Sequence, residues 1–167
     1  MMKLSNLPIL LMSQLKEQRM SGYDLCKLVK EKYWPASHQQ VYRELGKLDS
    51  SGYVTCEVVP QSGKPDKKVY QLTPSGESEL QAVADSAPNI PQVRDEAIVH
   101  LALENGSYFS RMISSLTRAV TELEMKKDKC EDPIQIFVIE RQIARLTADA
   151  QWAQRVGHSF LSQGNAA

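Results

Sequence analysis

Leu4, Leu7, Leu11 and Leu15, with Ile9, Leu10 and Met12 beside them, recur at helical spacing and predict a first helix over residues 4–17. Met20-Ser21-Gly22 breaks the pattern. Ser21 stands three residues before Asp24, a helix-start signal, and a second helix is expected to about Tyr33, burying Leu25, Leu28 and Val29. Pro35 stops it, because proline lacks an N–H donor and restricts Trp34 before it. Ser37 and Gln40 have the spacing of a capping box at the start of a third helix. In that helix Val41, Leu45 and Leu48 form a core-facing stripe, and Ser50-Ser51-Gly52 ends it, with Gly52 at the C-cap.

The period then changes. YVTCEVV and KKVYQLT are rich in β-branched and aromatic residues and flank QSGKPD, which has the glycine, proline and aspartate of a turn. A β-hairpin is expected. Thr73-Pro74 opens a fourth helix with Thr73 as N-cap and Pro74 in the first helical position, fading near Asp85. SAPNIP carries two prolines and no periodicity, which marks a linker over residues 86–91.

Beyond the linker the chain reads as all helix. A short helix is expected over 92–104, and a long one over 108–129 with Phe109, Met112, Leu116, Ala119 and Leu123 in one stripe. After Glu131-Asp132-Pro133, residues 134–161 repeat the spacing with Ile136, Ile139, Ile143, Leu146, Ala150, Ala153, Gly157 and Phe160. Two such stripes joined by a short turn suggest an antiparallel helical hairpin with coiled-coil-like packing. The expected fold is therefore mainly α with a β wing. An N-terminal winged helix-turn-helix over 1–85 is followed by a helical dimerisation domain over 92–162 and a disordered tail at 163–167.

Net charge is zero over the 167 residues, which alone argues against a polyanionic partner. The distribution changes the picture. Residues 1–72 hold eleven Lys and Arg against seven Asp and Glu, and residues 73–167 hold nine against thirteen. One half can meet nucleic acid while the other does something else. Cys26, Cys56 and Cys130 are scattered and odd in number, which predicts neither a disulfide framework nor a zinc site and fits a reducing cytoplasm. The polar residues Gln14, Lys16, Glu17 and Arg19 directly after the first apolar stretch argue against an export signal. No apolar run approaches the ~20 residues of a bilayer span, so no membrane role is expected.

The order helix, helix, helix, hairpin, helix is that of a winged helix, whose third helix enters the DNA major groove. Opposite the core stripe of that helix lie Gln39, Arg43, Gly46 and Ser50, flanked by Tyr42 and Lys47. Glutamine suits adenine and arginine suits guanine, while lysine and tyrosine suit phosphate. Ser37 and His38 stand at the helix N-terminus, where free amides and the dipole favour an anion. The wing adds Lys64, Lys67 and Lys68. Solvation of a helix face and protection of a sheet edge are the bland alternatives for these two groups of residues. His38, His100 and His158 fall in unrelated patterns, and the motifs of nucleotide, hydrolase and metalloprotease chemistry are missing. No catalytic residues, metal or cofactor are expected. Tyr33, Trp34, Phe137 and Trp152 are read as core or dimer packing in preference to a ligand cage.

The residues also carry a resemblance. Ser21-Gly22-Tyr23-Asp24-Leu25, Ser37-His38-Gln39-Gln40-Val41-Tyr42-Arg43-Glu44-Leu45, Gly52-Tyr53-Val54-Thr55, the run Gly63 to Tyr70, and Leu72-Thr73-Pro74-Ser75-Gly76 are together similar to PadR-type transcriptional regulators. They are nearest the AphA-like virulence activator branch, as is Val93-Arg94-Asp95-Glu96 after the linker. The match is detailed over residues 4–80 and architectural beyond about residue 97. The resemblance implies a homodimeric regulator of a pseudo-palindromic operator on double-stranded DNA. It implies that Tyr42 and Lys68 meet the DNA backbone. It also implies pairing through the C-terminal helices, where Ile136, Ile139, Ile143, Leu146 and Phe160 are the interface candidates. Some members of the family sense small molecules, and an effector of this kind is a possible partner that no residue here identifies. A winged-helix adaptor that binds protein and meets no specific DNA is the competing reading, which the zero net charge leaves open.

Overall fold

The computed structural model describes residues 4–164 except 62, 64, 65, 91 and 93, and over 160–164 it describes the backbone alone. Lys64 and the side chain of Phe160, both singled out by the sequence, lie outside the described residues. The elements are α1 (Asn6–Leu15), β1 (Met20–Ser21), α2 (Gly22–Lys32), α3 (His38–Ser50), β2 (Val54–Val59), β3 (Lys67–Leu72), α4 (Pro74–Ala84), α5 (Glu96–Ala102), α6 (Gly106–Lys127) and α7 (Pro133–Gly164). They form two compact units, Met1–Asn89 and Ile90–Ala167. Among the described residues no helix is long and apolar enough to cross a membrane.

Local signals set the helix ends of the first unit. The Ser21 hydroxyl accepts the Asp24 amide at 3.1 Å and starts α2. Ser37 accepts the Gln40 amide at 3.2 Å while Gln40 accepts the Ser37 amide at 3.0 Å, closing the expected capping box on α3. Gly52 follows α3 at φ +73°, where a Cβ would be strained. Thr73 does two jobs: its hydroxyl accepts the Gly76 amide to cap α4 and donates to the Gly52 carbonyl at 2.7 Å. That single side chain ties the α4 start to the turn after α3.

The hairpin pairs Val54 with Leu72 through to Val59 with Lys67. Sequence patterning missed a third strand. Met20–Ser21, read as a break, pairs antiparallel with Tyr70 and Val69, so the sheet order is β1-β3-β2. A two-residue strand has no period of its own to read. Leu11, Met12, Leu25, Val29, Val41 and Leu45 are fully buried at the centre of this unit, and Val54 and Tyr70 close it from the sheet side.

The second unit is a helical hairpin with α5 beside it. Phe109 meets Trp152 edge-on at 5.7 Å, and Lys127 meets Glu140 at 3.6 Å. Contacts that pair the start of α6 with the later part of α7, and its end with the beginning of α7, make the two helices antiparallel. Phe109, Ala97 and Ala153 form the buried centre, with Met112, Ile113, Trp152 and Val156 around it. Several expectations need correction here. The short helix begins at Glu96, capped by Asp95, and α7 runs through Gln163 and Gly164, which the sequence assigns to a tail. Ile139, expected at a dimer interface, is 2% exposed in the single chain and serves internal packing. Trp34 is exposed and does not seal the core of its unit, while Phe137, read as core or dimer packing, is 70% exposed and so is not core within one chain.

Gly76 sits where a Cβ would lie 2.3 Å from the Tyr53 carbonyl oxygen and 2.6 Å from a Leu72 methyl. Gly76→Ala is expected to lower unfolding free energy by about 1–3 kcal/mol through overpacking, despite the ~1 kcal/mol that alanine gains in helix propensity. Urea denaturation measures it. Unchanged or higher stability would contradict the close approach of α4 to the α3–β2 turn.

Candidate nucleic-acid interface

The outward face of α3 is set by what its inward face must bury. Val41 and Leu45 are completely covered and Leu48 is 1% exposed, so at 100° per residue Gln39, Arg43, Gly46 and Ser50 must face away. All four are exposed, together with Ser37, His38 and Lys47. Gly46 has nothing within 4 Å of a Cβ position, so the helix surface there is bare.

Tyr42 lies at the flank. Its ring rests on Gly22, where a Cβ would come within 2.5 Å of the ring, so the tyrosine packs against naked backbone at the start of α2. Burial raises the Tyr42 hydroxyl above its ordinary pKa, with Cys26 and Asp24 adding to the effect. The phenol therefore stays protonated and can donate to a phosphate. Tyr42, Lys67 and Lys68 line one groove of about 390 Å³ with Ser21, Tyr23, Asp24, Gln61 and Asp66. The wing and the third helix thus share a surface, as a winged-helix interface requires. Gly63 at the wing turn has φ +69°.

Four of the singled-out side chains have partners that sequence reasoning missed. Lys67 bonds Asp24 at 3.2 Å, which uses part of its three-donor capacity. His38 stacks on Tyr23, with ring centroids 6.1 Å apart. Arg43 Nε and Lys47 Nζ both reach Glu44 Oε1, at 3.1 Å and 3.0 Å. Glu44 is 8% exposed, a carboxylate on the rim of the apolar stripe. Lys47 holds its carboxyl below the ordinary carboxylate value, burial opposes this, and Arg43 adds to the lowering. For Lys47 the spacing Glu44-x-x-Lys47 was the available signal, since residues three apart share a helix face.

The Asp24 carboxyl is likewise held below its ordinary value, first by the Ser21 hydroxyl at 2.6 Å, against burial, and then by Lys67. This pins the edge of the wing to the start of α2.

A β wing beside an open, cation-bearing third helix defines a winged-helix architecture. Residues 11–82 match the transcriptional regulator PadR-like family. The negative transcriptional regulator PadR of Bacillus subtilis is 40% identical over 86 residues, covering 49% of this chain and 47% of that protein. Residues 11–82 of the winged-helix unit are thus similar to PadR-like transcriptional regulators. The chain spans less than half the length of the curated relatives it matches. The fold likeness runs further. Bacillus subtilis PadR in complex with operator DNA superposes with a TM-score of 0.80 at 24% identity, over 95% of this chain and 99% of that one. The Vibrio cholerae virulence activator AphA does so with a TM-score of 0.78 at 24% identity and the same coverage. The mainly α fold with its three-stranded wing is that of these proteins.

The order of causes at Asp24 can be tested by NMR titration of its side-chain carboxyl. Ser21→Ala and Lys67→Ala should each move it up toward the ordinary carboxylate value, Ser21→Ala by more. A lowered carboxyl stabilises the fold above its unfolded-state pKa, and that contribution is lost as pH falls through the folded value. An unmoved Asp24 in both variants would remove the wing-to-α2 connection.

Proposed function

We propose that this chain is a sequence-specific DNA-binding transcriptional regulator that acts as a homodimer on a pseudo-palindromic operator. One observation carries the reading: Tyr42 of α3 and Lys67 and Lys68 of the wing line a single open groove, next to a helix face that presents Gln39 and Arg43. The match of residues 11–82 to the PadR-like family and the DNA-bound neighbour of the same fold support it.

In this mechanism α3 lies in the major groove. Gln39 and Arg43 read base edges, and Ser37, His38, Tyr42, Lys47, Lys67 and Lys68 grip the backbone. Lys64, in the same wing, belongs to the backbone group on sequence grounds. Two copies place their third helices about one helical turn, or a multiple of it, apart. Pairing runs through the C-terminal hairpin. Ile136, Ile143 and Leu146 are only partly covered in the single chain, and Ile134 and Phe137 are 54% and 70% exposed, so a partner surface has apolar area to bury. Phe160 belongs with them by its place in the heptad-like pattern. Ile139 does not, because its surface is already spent.

Gel shifts against fragments of the protein's own upstream region test the reading, with light scattering for mass. A retarded band that survives competitor DNA, and a mass twice that of the chain, are expected. Failure to shift any fragment at low salt would favour the protein-adaptor reading. Arg43→Ala should weaken specific binding by about 1–3 kcal/mol and blur one base position. Lys68→Ala should weaken all sequences alike and reduce the slope of log K against log salt by about 1. An unchanged slope would take Lys68 off the backbone.

A further inference from the structure

The rim of the apolar stripe on α3 holds a buried acid that a polyanion-binding helix has no electrostatic reason to keep. Glu44 is 8% exposed, among residues that are otherwise apolar. A carboxylate is tolerated there only with partners. It has two: Arg43 through Nε at 3.1 Å, and Lys47 through Nζ at 3.0 Å and 3.3 Å to its two oxygens.

The Arg43 contact is not a consequence of helix spacing. Neighbouring residues diverge by 100° and do not face each other. The guanidinium of Arg43 has to lean toward Glu44 to make the bond. Arginine carries five N–H donors in a planar fork. With Nε committed, the two terminal Nη groups make no hydrogen bond among the described residues, and the side chain is 64% exposed. Lys47 reaches back one turn and holds the same carboxylate, sharing Oε1 with Arg43.

We propose that Glu44 is a positioning residue for base reading. Its carboxylate clamps Arg43 by Nε, so that the paired Nη groups point outward as a ready-made bidentate donor, and Lys47 locks the clamp. The inference rests on the reading of α3 as the major-groove helix and names the device that gives it specificity. Freezing the fork in advance removes rotamer freedom that binding would otherwise have to remove. It also fixes which edge of the guanidinium meets the base: the end-on pair of Nη donors, which matches the two acceptors N7 and O6 of a guanine. The negative charge lowers attraction to any duplex, so Glu44 trades general affinity for discrimination. Lys47 keeps part of its three-donor head for a phosphate.

The test uses the full chain. A duplex is first selected from a random-sequence pool with the wild-type protein, and each base pair of it is then varied singly in competition binding. Arg43→Ala identifies the base pair that depends on Arg43. Glu44→Ala should lose ~10-fold of discrimination at that same base pair, while binding to unrelated DNA holds or strengthens. Glu44→Gln, whose amide oxygen still accepts from Nε, should keep most of the discrimination. Circular dichroism melts confirm that both variants are compared as folded protein, and Glu44→Gln serves alone if Glu44→Ala is unfolded. Full discrimination at the Arg43-dependent base pair in Glu44→Ala would overturn the proposal. So would an equal loss at every base pair, or a loss in Glu44→Gln as large as that of Arg43→Ala. A wild-type protein that selects no sequence would instead overturn the DNA-reading function itself, and the two failures are separate.

Discussion

Burying Val41, Leu45 and Leu48 fixes the direction in which the opposite side of α3 points. Three covered apolar side chains at i, i+4 and i+7, clustered on one side, leave the helix one rotation about its axis. Each contributes about 1.5–3 kcal/mol by leaving water, so rolling the helix to hide Arg43 and expose Leu45 is strongly disfavoured. The capping box at Ser37 and Gln40 then fixes where along its axis the helix begins. Orientation and start together decide which side chains a duplex would meet, and the remaining contacts refine that choice.

The rest of the first unit holds accessory groups against this frame. Gly22 lets the Tyr42 ring settle on backbone, and the Asp24–Lys67 ion pair joins α2 to the wing. Thr73 anchors α4 to the turn that ends α3. These are short-range devices around a rigid core. The fold therefore presents α3 and the wing on one surface before any ligand arrives, which is the preorganisation that recognition benefits from.

Much of this was legible in the sequence because it is local. The Ser21, Ser37 and Thr73 caps, the Val41-Leu45-Leu48 stripe and the hairpin all depend on spacing within a few residues. What escaped depends on packing across the chain. β1 is two residues long and exists because Met20 and Ser21 find Tyr70 and Val69. Glu44 reads as one more polar helix residue until its burial and its two cations are seen together. A heptad-like stripe on α7 cannot say which of its members face α6 and which face outward. Ile139 turned inward, and Phe137, off the stripe, was left bare. The fold and the exposed face of α3 were thus readable, and the partners of the individual cations were not.

The most direct measurement is an amide chemical-shift map of the labelled full-length chain as a selected duplex is added. The expected result is that the largest changes fall on residues 37–51 and on the wing from 61 to 72, with smaller ones at the start of α2 around Tyr23. Changes confined to residues 96–164, with α3 and the wing unmoved, would contradict the placement of the DNA-reading surface.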